Sequence, residues 1–179
     1  MFDGTSIWVA NSLNNTVARL AVDGSLIGTC PTGASPGFMA YDGANVWVTN
    51  GLSNTVTKLN FGGASCKVLG TFATGTYPSQ IVFDGTYLWV TDNTGNTVTK
   101  LSKNGMLVGS FNVGTTPTGI AFDGSNIWIA NQGMNTVMKL SSAGSVIATF
   151  ASGVGPVGVA FDGANMWIAN AGEATLSKM

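Results

Sequence analysis

Five tryptophans, at positions 8, 47, 89, 128 and 167, recur at intervals of 39, 42, 39 and 39 residues, and that regularity constrains the chain more than any other feature. A sequence that copies itself at this period builds an array of like units rather than one irregular globule. Each copy opens on an aromatic-Asp-Gly turn: Phe2-Asp3-Gly4, Tyr41-Asp42-Gly43, Phe83-Asp84-Gly85, Phe122-Asp123-Gly124 and Phe161-Asp162-Gly163. The tryptophan follows five residues after the Asp. An Asn-Thr-Val segment comes next, at Asn15, Asn54, Asn96 and Asn135, degrading to Ala174-Thr175-Leu176 in the last copy. An aliphatic segment and a proline (Pro36, Pro78, Pro117, Pro156) close each complete copy. The copies span residues 2–40, 41–82, 83–121, 122–160 and, in part, 161–179, within a single domain of residues 1–179.

Four strands of about six residues joined by turns of about four consume roughly 40 residues, which is the observed period. Four antiparallel strands per unit make one propeller blade. In the fourth copy the strands are expected near 118–122, 126–130, 136–140 and 146–150, rich in Val, Ile, Thr, Phe and Trp and bounded by turn-forming residues. No segment carries a sustained 3.6-residue apolar period, so helix is nearly excluded. The tryptophan strand is apolar on both faces, as in Ile127-Trp128-Ile129-Ala130, which places it deep between neighbouring sheets. Lys139 interrupts one face of the next strand and moves it outward. Small residues such as Gly119 with Ala121, or Gly158 with Ala160, suit a strand crowded at a central axis. The expected order from the axis outward is therefore proline strand, tryptophan strand, Asn-Thr-Val strand, aliphatic strand. The fold class is an all-β propeller of about five blades, four full and one incomplete at the end of the chain.

The run of proline, Gly-Ile-Ala-Phe-Asp-Gly, Asn-Ile-Trp-Ile-Ala-Asn and Asn-Thr-Val resembles the propeller repeats of the virginiamycin B lyase, YVTN and NHL superfamily, over essentially the whole chain. The resemblance implies the blade but no particular activity, since folds of this kind host many functions. The lyase of that family is understood to use a histidine acid or base with glutamate and magnesium. This chain has no histidine, and its one glutamate, Glu173, lies in the most divergent copy. No residue maps onto the lyase histidine. Lactonase-like relatives place carboxylates and amides around a channel metal, and a single glutamate makes that match poor.

Composition narrows the partners. Charged residues make up 8% of the chain and the net charge is −1, which leaves no basic footprint for nucleic acid. No apolar run approaches the roughly 20 residues of a helical membrane span. Met1 runs directly into the first Phe-Asp-Gly without a signal peptide. A polar surface built from Asn, Thr, Ser and Gly suggests a bacterial secreted or cell-surface protein.

Three repeated sets of polar residues are candidate sites. Asp3, Asp42, Asp84, Asp123 and Asp162 sit in the tight turns, where a carboxylate accepts bonds from nearby backbone amides. Their alternative role is a calcium or magnesium ring at one mouth of the central channel. Asn11, Asn50, Asp92, Asn131 and Asn170 lie three residues after each tryptophan. They are read as turn caps or as ligand-binding pockets on a rim, with a glycan as the natural ligand for uncharged amides. Arg19, Lys58, Lys100, Lys139 and Lys178, each eleven residues after a tryptophan, are expected to lay their stems over neighbouring surface and keep their charge in water. Cys30 takes the slot of Phe72, Phe111 and Phe150, which makes a small buried apolar side chain the leading expectation. A bridge to Cys66, in the insertion that lengthens the second interval, is the lesser one.

The function expected from sequence is a non-catalytic scaffold or binding module for a glycan or protein, without a required cofactor. Two alternatives stand beside it: a metal-assisted lyase or lactonase-like enzyme, and a repeat fragment without its own ligand. The open ends suggest either an imperfect five-bladed ring or part of a ring of six to eight blades. They also suggest homo-oligomers formed through bare strand edges.

Overall fold

A computed structural model describes residues 1–62 and 65–179. Part of the insertion before Cys66 thus lies outside the described residues. The described chain forms five antiparallel sheets, each with strands in sequence order. Blade 1 holds β1 (Ile7–Asn11), β2 (Thr16–Leu20) and β3 (Leu26–Pro31), with an isolated Phe2–Ile7 bridge on its inner side. Blade 2 holds β4 (Pro36–Tyr41), β5 (Val46–Asn50), β6 (Thr55–Gly62) and β7 (Ser65–Ala73). Blade 3 holds β8 (Pro78–Phe83), β9 (Tyr87–Asp92), β10 (Thr97–Ser102) and β11 (Leu107–Asn112). Blade 4 holds β12 (Pro117–Phe122), β13 (Ile127–Asn131), β14 (Thr136–Leu140) and β15 (Val146–Ala151). Blade 5 holds β16 (Pro156–Phe161), β17 (Met166–Asn170) and β18 (Thr175–Lys178). These bounds fall within a residue or so of those read from the sequence of the fourth copy. Among the described residues the helical elements are two short 3₁₀ turns, Gly51–Ser53 and Gln132–Met134.

The proline strands β4, β8, β12 and β16 pack on one another in succession, which makes them the innermost strands, as the small residues implied. Crowding there is severe at Gly119, where an added Cβ would sit 2.8 Å from the Val157 carbonyl oxygen of the next blade. Hydroxyl groups stitch the same layer together. Thr49 donates to the Ser79 carbonyl (2.8 Å), Thr91 to that of Thr118 (2.9 Å), and Thr118 to that of Pro156 (3.1 Å).

The core lies between blades. Trp47 and Val56 of blade 2 meet Leu88, Val90 and Leu101 of blade 3. Trp89 and Val98 meet Ile127, Ile129 and Leu140 of blade 4. A phenylalanine from the outermost strand backs each indole, with ring centroids 5.5–5.7 Å apart for Trp47–Phe72, Trp89–Phe111 and Trp128–Phe150. In blade 1 the equivalent residue is Cys30, fully buried and joined to Cys66 of the neighbouring blade with a Cα separation of 5.5 Å. The reading of Cys30 as a burial residue was right about its slot but ranked the bridge too low. Adjacent outermost strands bring the two Cα atoms within disulfide reach, and sequence spacing alone cannot show this.

The blades form an open arc. Ile7 and Val9 of the first blade are 37% and 39% exposed, whereas their counterparts Val46, Val48, Ile127 and Ile129 are buried. At the other end Leu176 is exposed where Val17, Val56, Val98 and Val137 are fully covered. Among the described residues no helix is long and apolar enough to cross a membrane.

Packing at the axis gives a direct expectation. Gly119→Ala forces a methyl into the backbone of the fourth-to-fifth blade contact and is expected to cost about 1–3 kcal/mol in urea unfolding. Gly37→Ala meets only Thr49 Oγ1 at 3.5 Å and serves as the near-neutral control. Equal losses at the two positions would contradict the assignment of the proline strands to a crowded hub.

Candidate binding site

At one end of each blade the Asp-Gly turn, the start of the tryptophan strand and the repeated cation converge. The turn forms because Gly tolerates positive φ, +89° at Gly43, and because the Asp carboxylate replaces missing backbone partners. In blade 3, Asp84 Oδ1 accepts from the Thr86 and Tyr87 amides (2.8 and 2.6 Å) while Oδ2 accepts from Trp89 Nε1 (2.7 Å). The indole bond recurs in every blade, from Trp8 to Asp3, Trp47 to Asp42, Trp128 to Asp123 and Trp167 to Asp162, at 2.7–2.8 Å. These bonds hold the Asp3, Asp42, Asp123 and Asp162 carboxyls below the usual range. At Asp3 burial pushes up, but the bonds from Trp8, Thr5 and Ser6 outweigh it and bring the pKa to about 2. Burial is likewise overcome at Asp42 and Asp123, and at Asp162 the Trp167 bond leads.

The cations stand directly across the hairpin, Lys58 opposite Trp47 and Lys139 opposite Trp128. Each side chain folds back over the indole, with Lys58, Lys100 and Lys139 Nζ 4.7–5.0 Å from their tryptophan ring centroids and Arg19 Cζ 5.7 Å from that of Trp8. Two amines then clip onto the next blade. Lys58 donates to the Lys103 carbonyl (2.7 Å) and Lys100 to the Ser142 carbonyl (2.6 Å), both in the turn between third and fourth strands. The expectation that these charges stay in water therefore fails at Lys100, which is buried against Tyr87 and Trp89 and has its pKa lowered by burial, partly offset by Asp84. The constant eleven-residue offset was the sequence signal for a cation opposite the indole. What it could not give was the rotamer.

Between successive blades this arrangement leaves small recesses. The one between blades 1 and 2 holds about 120 Å³ and is lined by Asp3, Trp8, Arg19, Tyr41 and Asn60. The one between blades 4 and 5 is larger, about 360 Å³, lined by Asp123, Asn126, Trp128 and Lys139 on one side and Phe161, Met166 and Met179 on the other. Here, among the described residues, no turn carbonyl lies on the amine, and Lys139 pairs with Asp123 at 3.7 Å. The ring at the equivalent place is also less covered. Phe72 and Phe111 pack against Gly105 and Gly144 in the turn of the following blade, whereas Phe150 is exposed.

The second polar set lies elsewhere. Asn50, Asp92, Asn131 and Asn170 are buried at the opposite ends of the tryptophan strands, and Asn11 is half-buried there. Asn50 donates to Thr55 and Thr57 (3.1 and 2.8 Å), Asn170 to Thr175 and Ser177 (3.2 and 2.9 Å), and Asn11 to Thr16 (3.3 Å). Glycines cover them from the loop entering the same blade. A Cβ at Gly33 would fall 2.9 Å from Asn50 Cγ, and one at Gly114 2.6 Å from Asn131 Cγ. Neither set converges on a point, and among the described residues no group of three or more His, Cys, Asp or Glu side chains is arranged to hold a metal ion.

No family model matches the chain, and no curated protein sequence matches it. Solved structures do. The chain superposes on a streptogramin B lyase with a TM-score of 0.78 at 19% identity, covering 97% of this chain and 64% of that one. Virginiamycin B lyase from Staphylococcus aureus gives 0.77 at 19% identity, over 97% and 66%. A putative 6-phosphogluconolactonase from Bacteroides fragilis gives 0.82 at 15% identity, over 99% and 64%. The chain thus has the β-propeller fold of these proteins and spans just under two thirds of their length.

Asp92 stands where the four other blades carry Asn, and the substitution has an energetic signature. Burial raises its carboxyl to about 6, against bonds from Thr99 and Thr97 that lower it. A carboxyl whose folded pKa is raised takes up its proton more readily in the folded state, so its burden is absent below the unfolded value of 3.8 and grows as pH rises through 6. When ionised it costs on the order of 2–3 kcal/mol. The turn aspartates act oppositely, adding stability above 3.8 that is lost as pH falls below it. Thermal melting is therefore expected to peak at about pH 4, where the two windows meet. Asp92→Asn should raise the midpoint at pH 7.5 and flatten the decline between about pH 4 and 6. A variant less stable than the parent at pH 7.5 would show that the carboxylate is needed in its ionised form.

Proposed function

We propose that the chain is a non-catalytic propeller binding module and that its ligand is a protein turn received in the recess between blades 4 and 5. One observation carries this reading. At the boundaries of blades 2 and 3 and of blades 3 and 4, the lysine lying over the indole bonds a carbonyl of the turn between the next blade's third and fourth strands, and the recess at Trp128 and Lys139 offers the same indole and amine beside an open space. A peptide entering there would place a carbonyl on Lys139, pack an apolar residue against Met166 and Phe161, and pair its following strand with β18. That is strand addition to a sheet edge, in which backbone bonds give affinity and side-chain pockets give selectivity.

The enzymatic alternatives lack a comparable observation. The lyase and lactonase names belong to structural neighbours whose identities of 15–19% carry only the fold. The turn aspartates that would hold calcium or magnesium spend Oδ2 on an indole and Oδ1 on backbone amides. A secreted or surface setting fits the module, because the Cys30–Cys66 bridge persists in an oxidising compartment.

The test uses the chain's own fourth-blade turn and outermost strand, a synthetic peptide of residues 141–151, as probe. Calorimetric titration should show one site, and Lys139→Gln should weaken binding at least tenfold, the loss expected when a charge-assisted bond worth about 1.5–3 kcal/mol is removed. Melting scans with calcium, magnesium and a glycan panel run alongside, since any ligand of the folded state raises the midpoint. A midpoint shift with a glycan or a metal, and none with the peptide, would replace this reading with the corresponding alternative.

A further inference from the structure

Every blade has two unlike side faces. One carries the tryptophan with the valine that follows it in the third strand: Trp8 with Val17, Trp47 with Val56, Trp89 with Val98 and Trp128 with Val137. The other carries the aliphatic residues flanking the tryptophan and a leucine of the third strand, as in Val46, Val48 and Leu59, or Ile127, Ile129 and Leu140. All four internal interfaces join an indole face to an aliphatic face. In none does a face meet its own kind.

The two ends of the arc present one face of each type. Blade 5 ends on Trp167 and Leu176, the latter 68% exposed, beside an apolar recess of about 240 Å³ lined also by Val159, Ala160 and Ala169. Blade 1 begins on Ile7 and Val9, with Leu20 in the place of Leu59 and Leu140. We infer that a second copy of this chain docks head to tail, its Ile7, Val9 and Leu20 covering Trp167 and Leu176 as one blade covers the next within the chain.

The cation clip completes the match. Lys178 already lies over Trp167, with Nζ 5.5 Å from the ring centroid. Lys58 and Lys100 bond the carbonyl two residues beyond the equivalent leucine of the next blade's third strand, Lys103 after Leu101 and Ser142 after Leu140. In a docked copy the equivalent acceptor is the Val22 carbonyl, two residues after Leu20. It sits in a turn of the same construction: Ala21 bonds Ser25 as Ser102 bonds Met106 and Ser141 bonds Ser145, and Gly24, Gly105 and Gly144 all have φ of +81° to +87°. Two indole faces brought together would have neither the aliphatic cover nor this acceptor, so the contact is heterologous. Such contacts close into rings or extend into filaments according to the rotation they impose.

Sedimentation of the intact chain and of two surface variants tests the pairing. The parent should associate as concentration rises. Val9→Lys and Leu176→Lys, both at exposed positions, should each be monomeric, because each lacks one of the two faces. Mixed in equal amounts they should form a dimer of one Val9→Lys and one Leu176→Lys chain that grows no further, since the mixture retains one intact face of each kind. The pair Ile7→Glu and Leu176→Glu repeats the experiment with the opposite charge, and circular dichroism confirms that each variant keeps its fold. A parent that stays monomeric at its highest soluble concentration would overturn the inference. So would single variants that still assemble, or a mixture that remains monomeric.

Discussion

The hydrogen bond from each tryptophan Nε1 to the aspartate five residues earlier is the constraint on which the rest of the structure depends. It fixes the indole in the plane where two blades meet, and the same carboxylate closes the turn that sends the chain from the axis into the tryptophan strand. A charged acceptor makes such a bond stronger than a neutral one, with a net contribution of about 1.5–3 kcal/mol. One residue thereby couples local turn formation to long-range packing, and repetition of that coupling makes the blades alike. The cation opposite the indole extends the coupling to the next blade, because its amine reaches a carbonyl there.

Where the copies differ, the chemistry differs for a local reason. Cys30 replaces the phenylalanine that backs the indole in blades 2 to 4, and a covalent link to the neighbouring blade takes over from ring packing. Asp92 replaces Asn among the buried polar residues and carries a desolvated carboxyl. Ala174 holds a left-handed backbone, φ +54°, at a site where Asn15, Asn54, Asn96 and Asn135 also accept a bond from the loop that enters the next blade. The last blade thus lacks at Ala174 the tie that the other four possess.

Most of the architecture was legible because a repeat reports its environment several times over. Small residues at 119 and 121 against an indole at 128 gave the radial order of the strands, and strand packing follows that order. The turn role of the aspartates could also be read, since Asp-Gly before a strand has a local mechanism. What escaped was decided by contacts across the repeat boundary. The burial of Asn50 and Asn131 depends on glycines that enter from a loop some seventeen residues earlier. The position of the Lys100 amine depends on a turn more than forty residues later. Nothing in the offset of Cys30 from Cys66 shows that the outermost strands of adjacent blades run within bridging distance.

The proposed binding and self-association both follow from one property: a blade is complete only when another element covers it. Between the five blades that cover is the next repeat, and the first and last blades each leave a face for another element to cover. The most direct check on the underlying claim is native-state hydrogen exchange of the five indole Nε1 protons, followed by NMR. The account expects Trp47 and Trp89 to exchange slowest, Trp8 and Trp128 to be protected, and Trp167, on the uncovered face, to exchange fastest; Asp42→Ala should selectively release Trp47. Five indoles that exchange at the rate of a free side chain, or a Trp47 unaffected by the loss of Asp42, would contradict it.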